Sequence, residues 1–172
     1  MVVIEPIGDS QRCQVEAMTE HYIREAEDIF GRSFRRIPVA FDLKGRSAGM
    51  FRTQGRHSLI RYNPWIFAKY FEENLHDTVA HEVAHYIVHE VFGRRARPHG
   101  EEWRAVMTKF GAKPEATFQL DLSGVPQRRQ ATHRYECACR IHDVSSTRHN
   151  RVQRGVGRYH CVNCDAQLVY TP

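Results

Sequence analysis

The sequence of 172 residues predicts an α+β fold in two domains, residues 1–127 and 128–172. The first domain carries an amphipathic helical pattern, then two alternating strand-like segments, then further helical patterns. After the last helical segment comes a polar stretch with Gly and Pro, residues 123–130, which is typical of a domain boundary. Charge also changes there: Lys and Arg balance Asp and Glu before it, whereas residues 128–172 hold eight Arg, no Lys and three acids.

The first domain begins with an amphipathic helix, predicted over residues 10–30 because apolar residues recur at three- and four-residue spacing. Residues 37–43 alternate between apolar and polar side chains and predict a half-buried strand. Residues 50–53 and 58–62 predict an antiparallel pair, so we expect a small antiparallel sheet. An Asn-Pro pair at 63–64 should stop the second of these strands and start a short helix.

The next helix, predicted over residues 78–89, contains the sequence His81-Glu82-Val83-Ala84-His85. At 3.6 residues per turn, positions i and i+4 lie on one face, so both imidazoles can reach one metal ion. Glu82 lies about 100° further round the helix and can reach a water molecule without being a ligand. This HExxH pattern is typical of zinc hydrolases and predicts a catalytic zinc site with Glu82 as the general base. We expect Asn74 or Asp77 to cap the helix and Gly93 to end it.

A catalytic zinc ion usually takes three protein ligands, so a third ligand is needed. His89 continues the four-residue spacing, but it lies about 12 Å from His81 along the helix axis, too far for one ion. The remaining candidates are His99, Glu101 and Glu102, at the start of the following helix after the chain has turned. Among the two acids, Glu102 would fit a scheme of two histidines and one glutamate. Trp103 should pack beneath this site.

The second domain contains two cysteine pairs that predict a structural zinc ribbon. Cys161 and Cys164 have the spacing of a zinc knuckle, whereas Cys137 and Cys139 are closer than usual, and His142 is an alternative ligand to one cysteine. A domain of 45 residues with few apolar positions needs the metal for much of its stability.

Arginines between the two cysteine pairs are the candidate contacts to nucleic acid, on a hairpin that we expect the ribbon to project. Arg favours phosphate geometry, and all of the net charge of +5 lies in residues 128–172. Tyr159 or His149 is a candidate for stacking on unpaired bases. The predicted phosphate contacts are Arg148, Arg151, Arg154 and Arg158.

The remaining composition is that of an ordinary globular protein, with 41% hydrophobic and 26% charged residues. No apolar stretch approaches 18 residues, so we expect no membrane span, and the N-terminus has no signal-peptide pattern. We therefore expect a cytoplasmic monomer, in which cysteines bind metal or stay as thiols. Cys13 lies outside both pairs and is predicted to be buried.

The motifs together resemble the SprT family of zinc metallopeptidase-like proteins, which is related to the Spartan protease of DNA–protein crosslink repair. The resemblance covers roughly residues 10–169 and implies that His99 is the third zinc ligand and Glu82 the general base. The residues that carry it are His81-Glu82-x-x-His85, Phe92-Gly93-Arg94, Pro98-His99-Gly100-x-x-Trp103, Ser47-Ala48-Gly49, Ile60-Arg61-Tyr62-Asn63-Pro64, Tyr135-x-Cys137-x-Cys139, Arg148-His149-Asn150-Arg151 and Tyr159-x-Cys161-x-x-Cys164.

The sequence thus favours a zinc-dependent endopeptidase with a zincin-like domain, one catalytic and one structural zinc ion, and a protein substrate. One of the two paired strands should hold an extended peptide by strand addition. Binding of the arginine-rich ribbon to DNA would tether the protease, and the resemblance implies action on DNA-bound or crosslinked proteins. The alternative is a zinc- and nucleic-acid-binding protein without proteolysis. Candidates for stabilising the oxyanion are Tyr62, Arg61 and Tyr86.

Overall fold

The chain divides into two compact units, Met1–Gln127 and Arg128–Pro172. Each unit combines helix with a three-stranded sheet, so the predicted α+β class is confirmed. No helix in the described part of the chain is both long and apolar enough to cross a membrane. The computed structural model describes residues 4–55, 57–115, 120–127 and 131–172.

Helix α1 buries one face and leaves the other in solvent, as its periodicity predicted. Its buried residues recur at the spacing of one helical face. Gly31 ends the helix in the left-handed conformation, with φ of 60°. Cys13 lies on the solvent face and is exposed, so the prediction of a buried thiol is wrong. The elements of the first unit are α1 Asp9–Phe30, β1 Val39–Ala40, β2 Gly49–Gln54, β3 His57–Tyr62, α2 Pro64–Lys69, α3 Phe71–Glu73, α4 Val79–Phe92 and α5 Glu101–Lys109.

The sheet of the first unit has the strand order β1-β3-β2, which makes β3 central and β2 an edge strand. Strands β2 and β3 pair antiparallel, as predicted, from Gly49 opposite Tyr62 to Gln54 opposite His57. Strand β1 pairs parallel with β3, so the prediction of a purely antiparallel sheet is wrong. The hairpin of β2 and β3 reverses the chain, which leaves β3 running in the same direction as β1. Only two of the residues predicted as a strand at 37–43 enter the ladder.

Helix α4 does not begin at a capping residue. Helix α3 continues into a π-helical turn, Asn74–Thr78, and that turn continues into α4, so the predicted caps Asn74 and Asp77 are wrong. The side-chain amide of Asn74 donates to the Tyr70 carbonyl at 2.7 Å, and its oxygen accepts from the Thr78 hydroxyl at 2.7 Å. Helix α4 ends at Gly93, as predicted, with φ of 66°.

Helix α4 runs through the middle of the core of the first unit. Five of its apolar residues have no exposed surface, and they pack among buried residues of α1, β3 and α5. A fully buried Val or Ile side chain contributes about 1.5–3 kcal/mol to folding, and the methyl group of a buried Ala contributes less. The core therefore fixes the position of α4 and of the histidines that lie on it. The five residues are Val79, Ala80, Val83, Ala84 and Ile87.

The second unit contains a sheet of strand order β5-β4-β6, in which both pairings are antiparallel. The arginine-rich segment after β5 forms a helix, so the prediction of a hairpin there is wrong. Residues 128–130 of the predicted domain boundary lie outside the described residues. The elements of this unit are β4 Thr132–Glu136, β5 Ile141–Ser145, α6 Ser146–Gln153 and β6 Val169–Tyr170.

Candidate active site and metal centres

Three imidazoles meet on the surface of α4. The Nε2 atoms of His81 and His85 are 3.1 Å apart, and the Nε2 atom of His99 lies 3.0 Å from the first and 3.1 Å from the second. A neutral imidazole carries one N–H, so three converging ring nitrogens cannot all satisfy one another by hydrogen bonds. They fit the ligand set of one ion with bonds of about 2.0–2.1 Å, and the group could hold a metal ion.

The loop before α5 brings His99 back to α4. His99 has φ of 56°, a left-handed conformation in which few residues other than glycine are found, and Gly100 then caps α5. Trp103, on the first turn of α5, is fully buried, with its ring centroid 4.7 Å from those of His81 and His99 and 5.6 Å from that of His85. Its indole N–H donates to the His81 carbonyl at 3.3 Å. One side chain therefore packs against all three rings, as the sequence predicted for Trp103.

The environment keeps these imidazoles uncharged at neutral pH. Burial, with a smaller contribution from the neighbouring histidines, lowers the pKa of His81 to about 4 and that of His85 to about 3. Burial also lowers the pKa of His99, as does the Arg104 guanidinium. The neutral imidazole is the form that binds a metal ion, so the site needs little proton release before an ion enters.

Glu82 lies beside the three histidines, and 6% of its surface is exposed. Its Oε2 atom accepts a hydrogen bond of 2.6 Å from the backbone N–H of Phe51, on edge strand β2. Burial raises the pKa of Glu82 to about 7, although the Phe51 hydrogen bond acts in the opposite direction. A carboxyl group with a pKa near 7 exchanges protons readily at neutral pH, as a general base must.

Gly49 allows β2 to approach α4 closely, a function that the sequence did not reveal. A Cβ atom at this position would lie 2.6 Å from Cγ and 2.7 Å from Oε1 of Glu82, and 2.8 Å from Cγ2 of Thr78. These distances are shorter than any that real Cβ atoms adopt. The Ser-Ala-Gly motif was the available signal, but its contact with α4 depends on the fold.

We expect Gly49→Ala to destabilise the protein by about 1–3 kcal/mol, because the added methyl group must displace Glu82 or separate β2 from α4. Urea unfolding of the variant measures this loss. Met50→Ala is the matched control, since Met50 is exposed on the same strand and its replacement should change stability by less than about 0.5 kcal/mol. A Gly49→Ala protein as stable as the wild type would show that the close contact is absent.

A cavity of about 290 Å³ opens next to His81 and Glu82. Asn63 holds the loop on one side of it, because its side-chain amide donates to the carbonyls of Gly45 at 3.1 Å and Ser47 at 3.2 Å. The same side chain accepts from two backbone N–H groups of α2, so its polar atoms are satisfied although it is fully buried. The cavity is lined by Arg46, Ser47, Ala48, Gly49, Asp77, Thr78, His81, Glu82, Met107, Lys113 and Glu115.

The other candidate ligands do not join the three histidines. Glu102 is absent from the group of converging donor atoms, and its carboxylate lies near Gly100 instead. The His89 ring packs on Phe51, with 5.7 Å between the ring centroids. Both residues therefore lie outside the ligand set.

The three predicted oxyanion candidates make hydrogen bonds elsewhere. The Tyr62 hydroxyl is buried against the Thr19 hydroxyl at 3.0 Å. The Arg61 guanidinium donates to Asp42 at 2.8 Å, and the Tyr86 hydroxyl donates to a backbone carbonyl. Each of the three polar groups thus has a partner elsewhere in the first unit, and a role in stabilising an oxyanion stays a prediction.

The second unit brings its four cysteines together, and this group could hold a metal ion. The Sγ atom of Cys139 lies 3.5 Å from that of Cys137 and 3.6 Å from that of Cys161, and the Sγ atoms of Cys137 and Cys164 are 3.7 Å apart. Zinc–sulfur bonds of about 2.3 Å place tetrahedral ligands at such separations. His142, the predicted alternative ligand, lies outside the sulfur cluster, with Nε2 3.2 Å from Cys137.

Backbone N–H groups next to the Cys161 sulfur favour its thiolate form. The Asn163 N–H donates to Cys161 Sγ at 3.4 Å, and hydrogen bonds from Asn163 and Cys164 lower the pKa of Cys161. The pKa of Cys137 is lowered by the backbone of Cys139 and then by His142. Thiolate is the form that binds zinc, so His142 supports the site from outside.

We expect two zinc ions per chain, because the histidine and cysteine groups lie in separate units and each fits one ion. Elemental analysis of protein purified without chelator measures this stoichiometry. Replacing Cys137, Cys139, Cys161 and Cys164 with Ser should lower it to one, whereas the matched control Cys13→Ser should leave it at two. One zinc ion in the wild-type protein would contradict the expectation.

The fold and the two ligand groups define an α+β protein with two groups of side chains able to hold metal ions. A profile of the SprT-like family matches residues 19–123. Protein SprT of Pseudomonas paraeruginosa is 40% identical over 161 residues, which cover 91% of this chain and 94% of that protein. Protein SprT of Pasteurella multocida is 35% identical over 157 residues, covering 91% and 92%. No solved structure matches the chain.

The chain belongs to the SprT-like family, as the resemblance of its motifs predicted.

Proposed function

We propose that the chain is a zinc-dependent endopeptidase with a zincin-like fold, which acts on proteins bound or crosslinked to DNA. The observation that carries the proposal is the convergence of His81, His85 and His99 beside the buried carboxylate of Glu82. A metal ion that only stabilised the fold would not need an acid with a raised pKa next to it. Membership of the SprT-like family also favours a metallopeptidase.

The three imidazoles would hold zinc, which when bound polarises a carbonyl group and lowers the pKa of water. The Glu82 carboxylate would take a proton from the attacking water and pass it to the leaving amine. Its pKa of about 7 suits both transfers, because neither the acid nor the base form is strongly favoured at neutral pH. The cavity beside Gly49 gives the substrate access to these groups.

Strand β2 is the part of the sheet best placed to hold an extended substrate. It lies at the edge of the sheet, with β3 on one side only. The N–H of Phe51 points away from β3, toward α4, as its hydrogen bond to Glu82 shows. A peptide added along this edge would lie next to the histidines, with main-chain hydrogen bonds supplying affinity.

The second unit would supply DNA binding. All four predicted arginines are exposed: Arg148 and Arg151 lie on helix α6, and Arg154 follows it directly. The Arg148 guanidinium lies 5.5 Å from the centre of the Tyr159 ring. His149 is an unsuitable stacking platform, because its ring is half-buried and stacked on His133 at 3.7 Å.

We expect DNA affinity to fall with salt, with a slope of log K against log salt of about −2 to −4 for three to five phosphate contacts. Replacing Arg148, Arg151 and Arg154 with Gln should reduce both the affinity and this slope. Fluorescence anisotropy with a labelled oligonucleotide at several salt concentrations measures both. Arg24→Gln and Arg52→Gln, which remove exposed arginines of the first unit, form the matched control. If the triple variant binds DNA like the wild type, the proposal that this helix binds DNA is wrong.

A DNA-dependent proteolysis assay tests the proposed function as a whole. The zinc-loaded chain is incubated with a DNA-binding protein, with and without DNA, and the fragments are separated by size. We expect cleavage that DNA accelerates. Cleavage that DNA leaves unchanged would indicate a plain peptidase, and zinc and DNA binding without any cleavage would favour the non-proteolytic alternative.

A further inference from the structure

The hydrogen bond between Phe51 and Glu82 joins the proposed general base to the strand that would receive the substrate. We propose that the Phe51 amide holds the Glu82 carboxylate in the free protein, and that a peptide strand added to β2 takes over this amide and releases the carboxylate toward the substrate. Phe51 is then a positioning residue that couples substrate binding to the base. This inference rests on the proposed function.

The register of β2 shows which of its backbone groups face outward. Phe51 lies opposite Ile60 on β3, yet its N–H donates to Glu82 rather than to β3. In an antiparallel ladder the N–H and C=O of one residue point to the same side, and successive residues alternate. The outward groups of β2 are therefore those of Gly49, Phe51 and Thr53.

A peptide strand that pairs with these three residues needs the N–H of Phe51 as the donor to one of its own carbonyls. That N–H already lies 2.6 Å from a carboxylate oxygen, which is a stronger acceptor than a carbonyl. A peptide carbonyl and the Glu82 carboxylate therefore compete as acceptors of one hydrogen bond, the one donated by the N–H of Phe51. Peptide binding has to break the contact. For the N–H groups of Gly49 and Thr53, no competing acceptor is found among the described residues.

The displaced carboxylate then needs a new partner. It is almost completely buried, and a buried charge without a hydrogen bond is costly. Glu82 and Gly49 both line the cavity of about 290 Å³, which opens next to the carboxylate. The nearest new partner for the carboxylate is water or substrate in that cavity, which is where a general base acts. Substrate binding would thus place the base and the water together.

Peptide binding to Glu82 variants tests this competition without requiring cleavage. The probe is a blocked, uncharged peptide of six residues with N-methyl groups at alternate positions, so that one edge can pair with β2 and the backbone resists hydrolysis. We expect zinc-loaded Glu82→Ala to bind it about threefold to tenfold more tightly than the wild type, the gain expected when one competing hydrogen bond is lost. Glu82→Gln should bind with intermediate affinity, because a neutral amide oxygen is a weaker competitor of similar size.

A second peptide is the matched control. Every residue of it carries an N-methyl group, so both of its edges are blocked and neither can pair with β2. We expect its weaker binding to be the same in all three proteins. If Glu82→Ala gained affinity for both peptides, the gain would come from added space rather than from the free amide, and the inference would be overturned.

The Phe51 amide can also be observed directly in protein labelled with ¹⁵N at its nine phenylalanines. Phe51→Leu identifies the resonance. We expect the amide proton to lie downfield in the free wild type, to move upfield in Glu82→Ala, and to change on addition of the pairing peptide. A wild-type resonance that the pairing peptide leaves unchanged, or equal peptide affinity in wild type and Glu82→Ala, would show that the peptide does not displace Glu82 from this amide. A protein that cleaves nothing but shows these effects would refute the proposed function and leave the competition intact.

Discussion

Glu82→Gln is expected to reduce peptide cleavage by about 10²–10⁴-fold, the usual contribution of a general base. The amide has nearly the same size as the carboxyl group and can still accept the Phe51 hydrogen bond, so the fold should be retained. It cannot take a proton from water. Initial rates of cleavage and the zinc content of the same preparation measure the two expectations together, and zinc should remain at the wild-type level.

Glu102→Gln is the matched control for this variant, because Glu102 lies close to the site but outside the group of converging histidines. It should cleave within a factor of a few of the wild-type rate. Loss of zinc from Glu82→Gln would make Glu82 a ligand or the support of one. Full cleavage activity in Glu82→Gln would show that Glu82 is not the general base.

His99→Ala is expected to lower the zinc content from two ions per chain to one. The three ring nitrogens lie within 3.1 Å of one another, so removing one leaves two imidazoles, too few for a stable catalytic zinc site. Elemental analysis gives the stoichiometry, and cleavage should be lost with the ion. The remaining ion should be the one bound by the four cysteines.

Two neighbouring variants make this result specific. His89→Ala removes a histidine of the same helix that packs on Phe51, and it should keep both ions. Glu102→Ala should also keep both. If Glu102→Ala lost an ion while His99→Ala kept it, the site would contain two histidines and a glutamate instead.

The sequence predicted the elements whose signals are local. The periodicity of α1, the hairpin of β2 and β3, and the end of α4 at Gly93 all follow from spacing and from turn residues. The placement of His81 and His85 on one face follows from helix geometry alone. The resemblance to a family supplied His99, which spacing could not distinguish from Glu102.

Contacts between distant segments could not be predicted in this way. The parallel pairing of β1 with β3 depends on the path by which the chain reaches the sheet, which no local pattern specifies. The hydrogen bond from Phe51 to Glu82 joins residues 31 positions apart. The requirement for glycine at position 49 follows from the close approach of β2 to α4, which is also a contact between distant segments. A cap was predicted at the start of α4, but the helix is continuous through this point. The side chain of Asn74 forms hydrogen bonds with Tyr70 and Thr78 inside that helix instead of capping it.

In the second unit, the cysteine spacing predicted a cluster but not its surroundings. A hairpin was expected between the cysteine pairs because ribbons commonly contain one, whereas the segment forms helix α6. The arginines therefore lie on a helix and just after it. His149 stacks on His133 and contacts the Tyr135 hydroxyl at 3.1 Å, so one face of its ring and its Nδ1 atom are already occupied, which composition could not indicate.

Removal and return of zinc tests the central claim most directly. The protein is stripped with a chelator, dialysed, and titrated with zinc while cleavage of a protein substrate is followed in the presence of DNA. We expect cleavage to stop in the stripped protein and to return as zinc is restored, with Glu82→Gln inactive at every zinc concentration. Equal cleavage by the stripped protein, or no cleavage by a wild-type protein carrying two zinc ions, would contradict the assignment of a zinc-dependent peptidase.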